Sequence, residues 1–254
     1  MNKPKPVVRL EVCANSLSSA LAAQEGGAMR VELCDNLGEG GTTPSYGTIE
    51  LARKLLNIKL YVLIRPRGGD FLYNDLEFEI MKADIRFCIE IGCDGVVIGI
   101  LNADGSVDKA RCAELVGIAK AGGLGVTFHR AFDMCADMDA ALEDIVDLGC
   151  ERILTSGGKS TAIEGIHAIA RLIGKAGRRI IIMPGAGVNE ITVADMVEFT
   201  GAVEIHASAQ KQVKSQMRYR NDHILMGHTE TDEYSYSQTD AERVKEIIRL
   251  ANAI

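Results

Sequence analysis

Arg9-Leu10-Glu11-Val12-Cys13-Ala14-Asn15-Ser16-Leu17-Ser18 is the stretch that decides the fold. Its first half alternates ionisable or polar residues with apolar ones, the period of a β-strand. Its second half is a turn leading to an Asn15/Ser16 helix cap. That turn contains no glycine. An open doubly wound sheet would more often carry Gly-x-Gly-x-x-Gly after its first strand. The stretch therefore favours the other α/β architecture, a closed (β/α)8 barrel.

Arg30-Val31-Glu32-Leu33-Cys34 is a near copy of the first strand. In both, Arg, Glu and Cys share one face and the apolar residues share the other. A structural strand of an α/β protein is normally apolar on both faces. Here one face is given to ionisable groups, which points to a polar interior site.

Similar runs predict strands starting at Val7, Arg30, Leu60, Gly95, Gly125, Arg152, Arg179 and Val203. Helices fit between them at 16–25, 75–91, 108–121, 137–148, 160–175, 189–199 and 239–253, several opening at a capping residue and stopping at glycine. The 254 residues suit one barrel domain over 1–254 with no linker. The exception is 209–238, an irregular segment after strand eight, long for a connection and so either functional or part of an interface.

Hydrophobic residues make up 47 % of the chain, which is globular rather than disordered. A net charge of -7 without a basic stripe argues against a nucleic-acid partner. Seven cysteines without a CxxC pair suit reduced thiols. Met1-Asn2-Lys3-Pro4-Lys5-Pro6 leads into a strand with no signal-peptide core, and no apolar run is long enough to span a membrane. The expectation is a cytoplasmic protein without membrane contact.

Function in a barrel sits where the strands end. Those ends carry Glu11 and Cys13, then Glu32 and Cys34, then Arg65-Pro66-Arg67-Gly68-Gly69-Asp70. Strand five ends in His129-Arg130 with Asp133 following, strand six in Ser156-Gly157-Gly158, strand seven in Gly185-Ala186-Gly187, and strand eight carries Glu204 and His206. Two readings compete. In one, Glu11 and Glu32 pair with neighbouring arginines and only fill the barrel, although buried ion pairs are weak evidence for stability. In the other, the rim is a pocket. Arg65, Arg67 and Arg130 would clamp a phosphate or carboxylate there. The glycine turns at Ser156, Gly157, Gly158 and at Gly185, Gly187 would add backbone N–H groups at helix starts, although a plain tight turn explains each as well. His129, Glu204 or His206, with Glu11 and Glu32, would supply acid–base chemistry. No lysine sits at these strand ends, which disfavours Schiff-base chemistry. No organic cofactor is expected.

Cys13 and Cys34 are expected at one depth on adjacent strands, ~4.8 Å apart. Such a pair could hold Cu(I), which prefers soft sulfur. Buried cysteine is equally at home as a small apolar side chain. Cys88, Cys93, Cys112 and Cys150 read as packing, and Cys135 as facing the rim. His167 reads as structural, and His223 and His228 lie in the irregular segment.

Several longer motifs resemble the copper homeostasis protein CutC family. They are Glu11-Val12-Cys13, Arg30 to Cys34, Glu39-Gly40-Gly41-Thr42-Thr43-Pro44-Ser45 and Arg65 to Phe71. Thr127-Phe128-His129-Arg130-Ala131-Phe132-Asp133-Met134, Leu154 to Gly157, Gly185-Ala186-Gly187 and Met217-Arg218-Tyr219-Arg220-Asn221 belong to the same set. The likeness runs from about residue 8 to the C-terminus. It implies a (β/α)8 barrel, a cytoplasmic location, Cu(I) handling with Cys13 and Cys34 as the copper cysteines, and a dimer or larger oligomer. The residues themselves leave a second function open: an enzyme acting on a small phosphorylated or carboxylated metabolite. The arginines and tyrosines of 209–238 favour either a homodimer interface or a lid, with Arg218 or Arg220 adding to the anion site.

Overall fold

A computed structural model describes residues 6–221, 223–224 and 232–253. The start of the chain before Pro6, and His228, lie outside the described residues. Eight parallel strands form the barrel: β1 (Arg9–Ala14), β2 (Arg30–Leu33), β3 (Lys59–Leu63), β4 (Gly95–Ile98), β5 (Gly125–Phe128), β6 (Arg152–Thr155), β7 (Ile181–Pro184) and β8 (Glu204–Ala207). Their hydrogen-bonded order is β7-β6-β5-β4-β3-β2-β1-β8. The circle nearly closes between β7 and β8, where a Cβ on Gly185 would lie 3.2 Å from the His206 Cβ. The strands begin within two residues of their expected places.

Eight helices surround the barrel: α1 (Leu17–Glu25), α2 (Tyr46–Leu55), α3 (Asp75–Glu90), α4 (Lys109–Ala121), α5 (Met138–Leu148), α6 (Ile166–Ala176), α7 (Val193–Thr200) and α8 (Ala241–Ala251). Ser16 caps α1, as its sequence indicates, accepting the Ser19 N–H. Three expectations need correction. Helix α2 is absent from the sequence reading, although Ser45 caps it by accepting the Thr48 N–H and Ile49 and Ala52 form its buried stripe. Helices α6 and α7 start later than residues 160 and 189. In the second case the Asn189 carboxamide accepts from the N–H groups of Ile191 and Thr192, so the capping residue makes a turn before the helix. The segment 209–238 is not irregular throughout. Its ends pair as an antiparallel hairpin, β9 (Gln210–Lys214) with β10 (Ser235–Thr239).

Alternation along the strands sorts the side chains. Leu10, Val12, Val31, Leu33, Leu60, Val62, Val96 and Ile98 belong to the main apolar core shared with the helices. The opposite face lines the barrel interior. Near its centre Arg30, 1 % exposed, donates from Nε to Glu11 and from Nη2 to Glu204 Oε2 at 2.6 Å. Arg152 Nε reaches the same Glu204 oxygen at 3.1 Å. Tyr61 fills the space beside them, with both guanidinium groups over its ring at 5.1 Å. Gly95 and Gly125 make room for that ring, since a Cβ on either would come within 2.3 Å of it or its hydroxyl. Glu11 thus pairs with an arginine as the structural reading anticipates, whereas Glu32 has no arginine at ion-pair distance among the described residues.

Replacing Arg30 by Met should destabilise the fold by about 3–5 kcal/mol, because buried Glu11 loses its arginine and Glu204 loses one of its two. Urea unfolding of the variant beside the parent measures this. A cost below about 1 kcal/mol would show that the interior tolerates Glu11 without its arginine.

Candidate functional site

The C-terminal mouth of the barrel opens into a cavity of about 410 Å³. That lies within the range of about 300–1,000 Å³ usual for small-molecule sites. Its wall is chemically divided. Cys13 of β1, Glu32 of β2 and His206 of β8 form one side, and Arg65 and His129, which follow β3 and β5, form another.

The first side is a cluster of possible ligands. One donor atom each from Cys13, Glu32 and His206 lies within 4.8 Å of the others, and all three residues are buried. His206 Nε2 is 3.7 Å from Glu32 Oε2, and His206 Nδ1 is 2.8 Å from Glu11 Oε1. Glu11 is itself held by Arg30, so the carboxylate fixes the His206 ring from behind. Burial opposes charge on His206, but Cys13, Glu11 and Glu32 outweigh it and raise its pKa well above the ordinary value. Burial likewise opposes charge on Glu11, but Arg30 and His206 outweigh it and hold the carboxyl well below the usual range. The same burial pushes Glu32 up, against the attraction of His206. Hydrogen bonding to Cys34, then burial, keeps the Cys13 thiol protonated to well above its ordinary value.

The two cysteine sulfurs lie 3.4 Å apart. They do not share a depth, however. The strand register sets Cys13 opposite Glu32, and Cys34 follows the end of β2. The stagger needed to close a barrel shifts neighbouring strands along each other, and it puts Glu32 where the sequence reading places Cys34. Cys34 is 1 % exposed and borders a separate groove beside Asn15 and Ser45, not the main cavity.

The second side carries donors. His129 Nδ1 accepts the Ala131 N–H at 3.1 Å. Burial, with Arg65 nearby, pushes its pKa down to about 3. The ring is therefore neutral with its proton on Nε2, and His129 is a hydrogen-bond donor rather than a base. Arg65 is 4 % exposed and gives its Nη groups to the carbonyls of Glu39, Gly41 and Gly69 at 2.6–2.8 Å. Phe71 lies between the two, its ring 5.0 Å from both the guanidinium carbon and the imidazole centre.

Other expected site residues stand apart from the cavity or face its edge. Arg130 lines the mouth but is engaged by Asp133 Oδ2 at 2.8 Å, with Ser156 Oγ also at 2.8 Å. Arg67 turns to Glu77 and Asp70. Asp133 accepts from the N–H groups of Ser156 and Gly158 at 3.0 Å and from Thr155 Oγ1 at 2.5 Å. The protein's own carboxylate thus occupies the turn at Ser156, Gly157 and Gly158. Gly187 lines the cavity, while Gly185 clears space for Leu154 and His206. Glu204 lies deeper, with Arg30 and Arg152. Arg220 pairs with Asp232, and neither it nor Arg218 lines the cavity. Sequence reasoning missed Gln210 and Arg243, both at the mouth. Arg243 comes from the last helix, and nothing local in the sequence shows that it returns to the first strands' ends.

This arrangement agrees with comparisons to known proteins. The CutC family profile matches residues 8–211. The chain belongs to the CutC family. A family protein CutC of Chromobacterium violaceum is 53 % identical over 236 residues, covering 93 % of this chain and 95 % of its own. A human copper homeostasis protein cutC homolog is 47 % identical over 246 residues, covering 96 % and 89 %. A CutC crystal structure from Streptococcus agalactiae superposes with a TM-score of 0.75 at 38 % identity, over 79 % of this chain and 98 % of that one. The phosphoribosylanthranilate isomerase of Pyrococcus furiosus shares the barrel, with a TM-score of 0.60 at 12 % identity over 97 % and 100 % of the two chains. Among the described residues no helix is long and apolar enough to cross a membrane.

The buried neutral His129 makes a pH prediction. Its folded pKa of about 3 lies below the ordinary 6.5. Between those values the unfolded chain takes up a proton that the folded chain refuses, so stability from this group is complete above pH 6.5 and is lost as pH falls toward 3. Urea midpoints between about pH 5 and 7 should fall more steeply with acid in the parent than in His129→Phe. Equal slopes would mean that His129 is not held neutral by the fold.

Proposed function

We propose that this protein is a Cu(I)-handling homeostasis protein, with copper as its cargo at the barrel mouth. The carrying observation is the convergence of Cys13, Glu32 and His206 within 4.8 Å, with the Cys34 sulfur 3.4 Å from that of Cys13. Thiolate and imidazole suit a soft monovalent ion, and Cu(I) accepts few ligands. Cys13 and His206 are the donors best matched to it. Cys34 is close enough to join after a small side-chain movement. Glu32 neutralises charge beside the ion, and Glu11 keeps the His206 ring in place. The human relative's name as a copper homeostasis homolog supports the same reading.

Competition with a Cu(I) chelator tests it. Cys13→Ser should weaken binding at least tenfold, and Cys13→Ser/Cys34→Ser more, where tenfold is about 1.4 kcal/mol. Glu11→Gln, which weakens the hold on both His206 and Arg30, should lower affinity by about 10-fold or more. A double cysteine variant that holds Cu(I) as tightly as the parent would overturn these ligands.

We also propose a cytoplasmic homodimer. The hairpin β9–β10 and its connection present Met217 at 64 %, Tyr219 at 73 % and Tyr236 at 54 % exposure, residue types that interfaces favour. Sedimentation equilibrium should give twice the chain mass at micromolar concentration. A monomer there, unchanged by Tyr219→Glu, would end the proposal.

A further inference from the structure

Buried charges in proteins are paired, and buried donors find acceptors. The barrel mouth departs from both rules. Arg30, Arg65 and Arg152 are the buried arginines among the described residues. Arg30 and Arg152 each have a carboxylate. Arg65 has no carboxylate at ion-pair distance among the described residues: its Nη groups meet backbone carbonyls, and its Nε makes no hydrogen bond of good geometry, with the Tyr73 hydroxyl close by. Beside it, His129 Nε2 is buried and has no partner either. Gln210 Nε2 is a third such atom, and all three residues line the same cavity. Of the four unpartnered buried side-chain atoms among the described residues, only the Tyr73 hydroxyl belongs to a residue that does not line this cavity.

The ring of His129 is placed with little tolerance. A Cβ on Gly99 would lie 2.5 Å from its Cε1, so glycine at that position is what lets the imidazole lie flat against β4's end. With Nδ1 taken by the Ala131 N–H, the Nε2 proton is the ring's one remaining polar contact. Across the mouth, Ala186 and Gly187 both have positive φ, 76° and 75°, and Ala186 is an uncommon residue for that conformation. Such strain persists where surrounding structure holds it, often at ligand sites.

We propose that this wall is a binding site for a small organic oxyanion, a carboxylate or phosphate whose oxygens rest on His129 Nε2–H and face the Arg65 guanidinium. The site is made of residues other than the copper ligands, and it does not depend on the copper reading. Gln210 provides an amide able to donate or accept to the rest of the molecule. Arg67 and Arg130 are not needed, since their own carboxylates engage them. The inference concerns binding, with His129 as a neutral donor.

The test uses the intact metal-free protein with two probes, oxalate and inorganic phosphate. Calorimetry should show saturable binding of at least one at millimolar concentration. The better probe assigns the class, planar carboxylate or tetrahedral phosphate. Nitrogen-15 imidazole spectra of the parent should show the His129 Nε2 signal moving with the titration. His129→Phe should weaken binding at least tenfold, whereas His129→Gln, which retains an N–H, should lose less. Cys13→Ser should leave anion binding in place. Saturation by neither probe overturns the proposal, as does binding that leaves the His129 signal unmoved. Loss of binding in Cys13→Ser would put the anion on the other wall and overturn it too. The parent spectra decide the matter even if a His129 variant fails to fold.

Discussion

The ion pairs that Arg30 makes inside the barrel govern what the mouth can do. Eight strands enclose a space that branched aliphatic side chains ordinarily fill. Here Glu11, Arg30, Arg152 and Glu204 occupy its centre. Burying four charges is costly, and their mutual attraction offsets the cost only with good geometry. The strands supply that geometry, because parallel register puts Arg30 beside Glu11, while Arg30 and Arg152 both reach Glu204 across the barrel interior. The centre is therefore rigid, and the residues one step further along each strand inherit fixed positions. His206 is one of them. Its Nδ1 rests on Glu11, so the arginine below it indirectly aims its Nε2 at Cys13 and Glu32.

A second constraint separates the two walls of the cavity. On the Cys13 side, negative and neutral acceptors gather around a histidine whose pKa is raised. On the Arg65 side, a cation and a neutral histidine stand together, and that histidine's pKa is lowered. Two imidazoles in one mouth thus differ in protonation because their neighbours differ. A cation is attracted to the first side and an anion to the second. Such a mouth can hold both at once without placing like charges in contact.

Much of the barrel was legible because it rests on local patterns. The alternation in Arg9 to Cys13 and Arg30 to Cys34 identifies inward and outward faces correctly, since strand periodicity is a covalent property of the chain. Helix α2 escaped because its stripe is only Ile49 and Ala52, too short a pattern to assert itself between two strands. Asn189 misled for a different reason. The same side-chain oxygen that caps a helix also closes an Asx turn, and the sequence does not say which comes first.

The site was harder to read, because sequence gives residue types but not register. Cys13 and Cys34 hold equivalent places in two similar strands, which suggests equal depth. Barrel closure staggers the strands, so Glu32 faces Cys13 and Cys34 moves outward. The rim arginines show the same limit. Arg65, Arg67 and Arg130 look equivalent on paper. Their partners distinguish them: Asp70 and Glu77 for Arg67, Asp133 and the Ser156 turn for Arg130, and backbone carbonyls for Arg65. Asp133 fills its turn with a carboxylate, so that part of the rim is complete without a ligand. The wall of Arg65 and His129 is not, because His129 Nε2 and Arg65 Nε are buried beside the cavity without a hydrogen-bond partner. A fold that satisfies four buried charges at its centre leaves three donors unsatisfied a short distance above them. That contrast marks the mouth as shaped for something it binds rather than for its own stability.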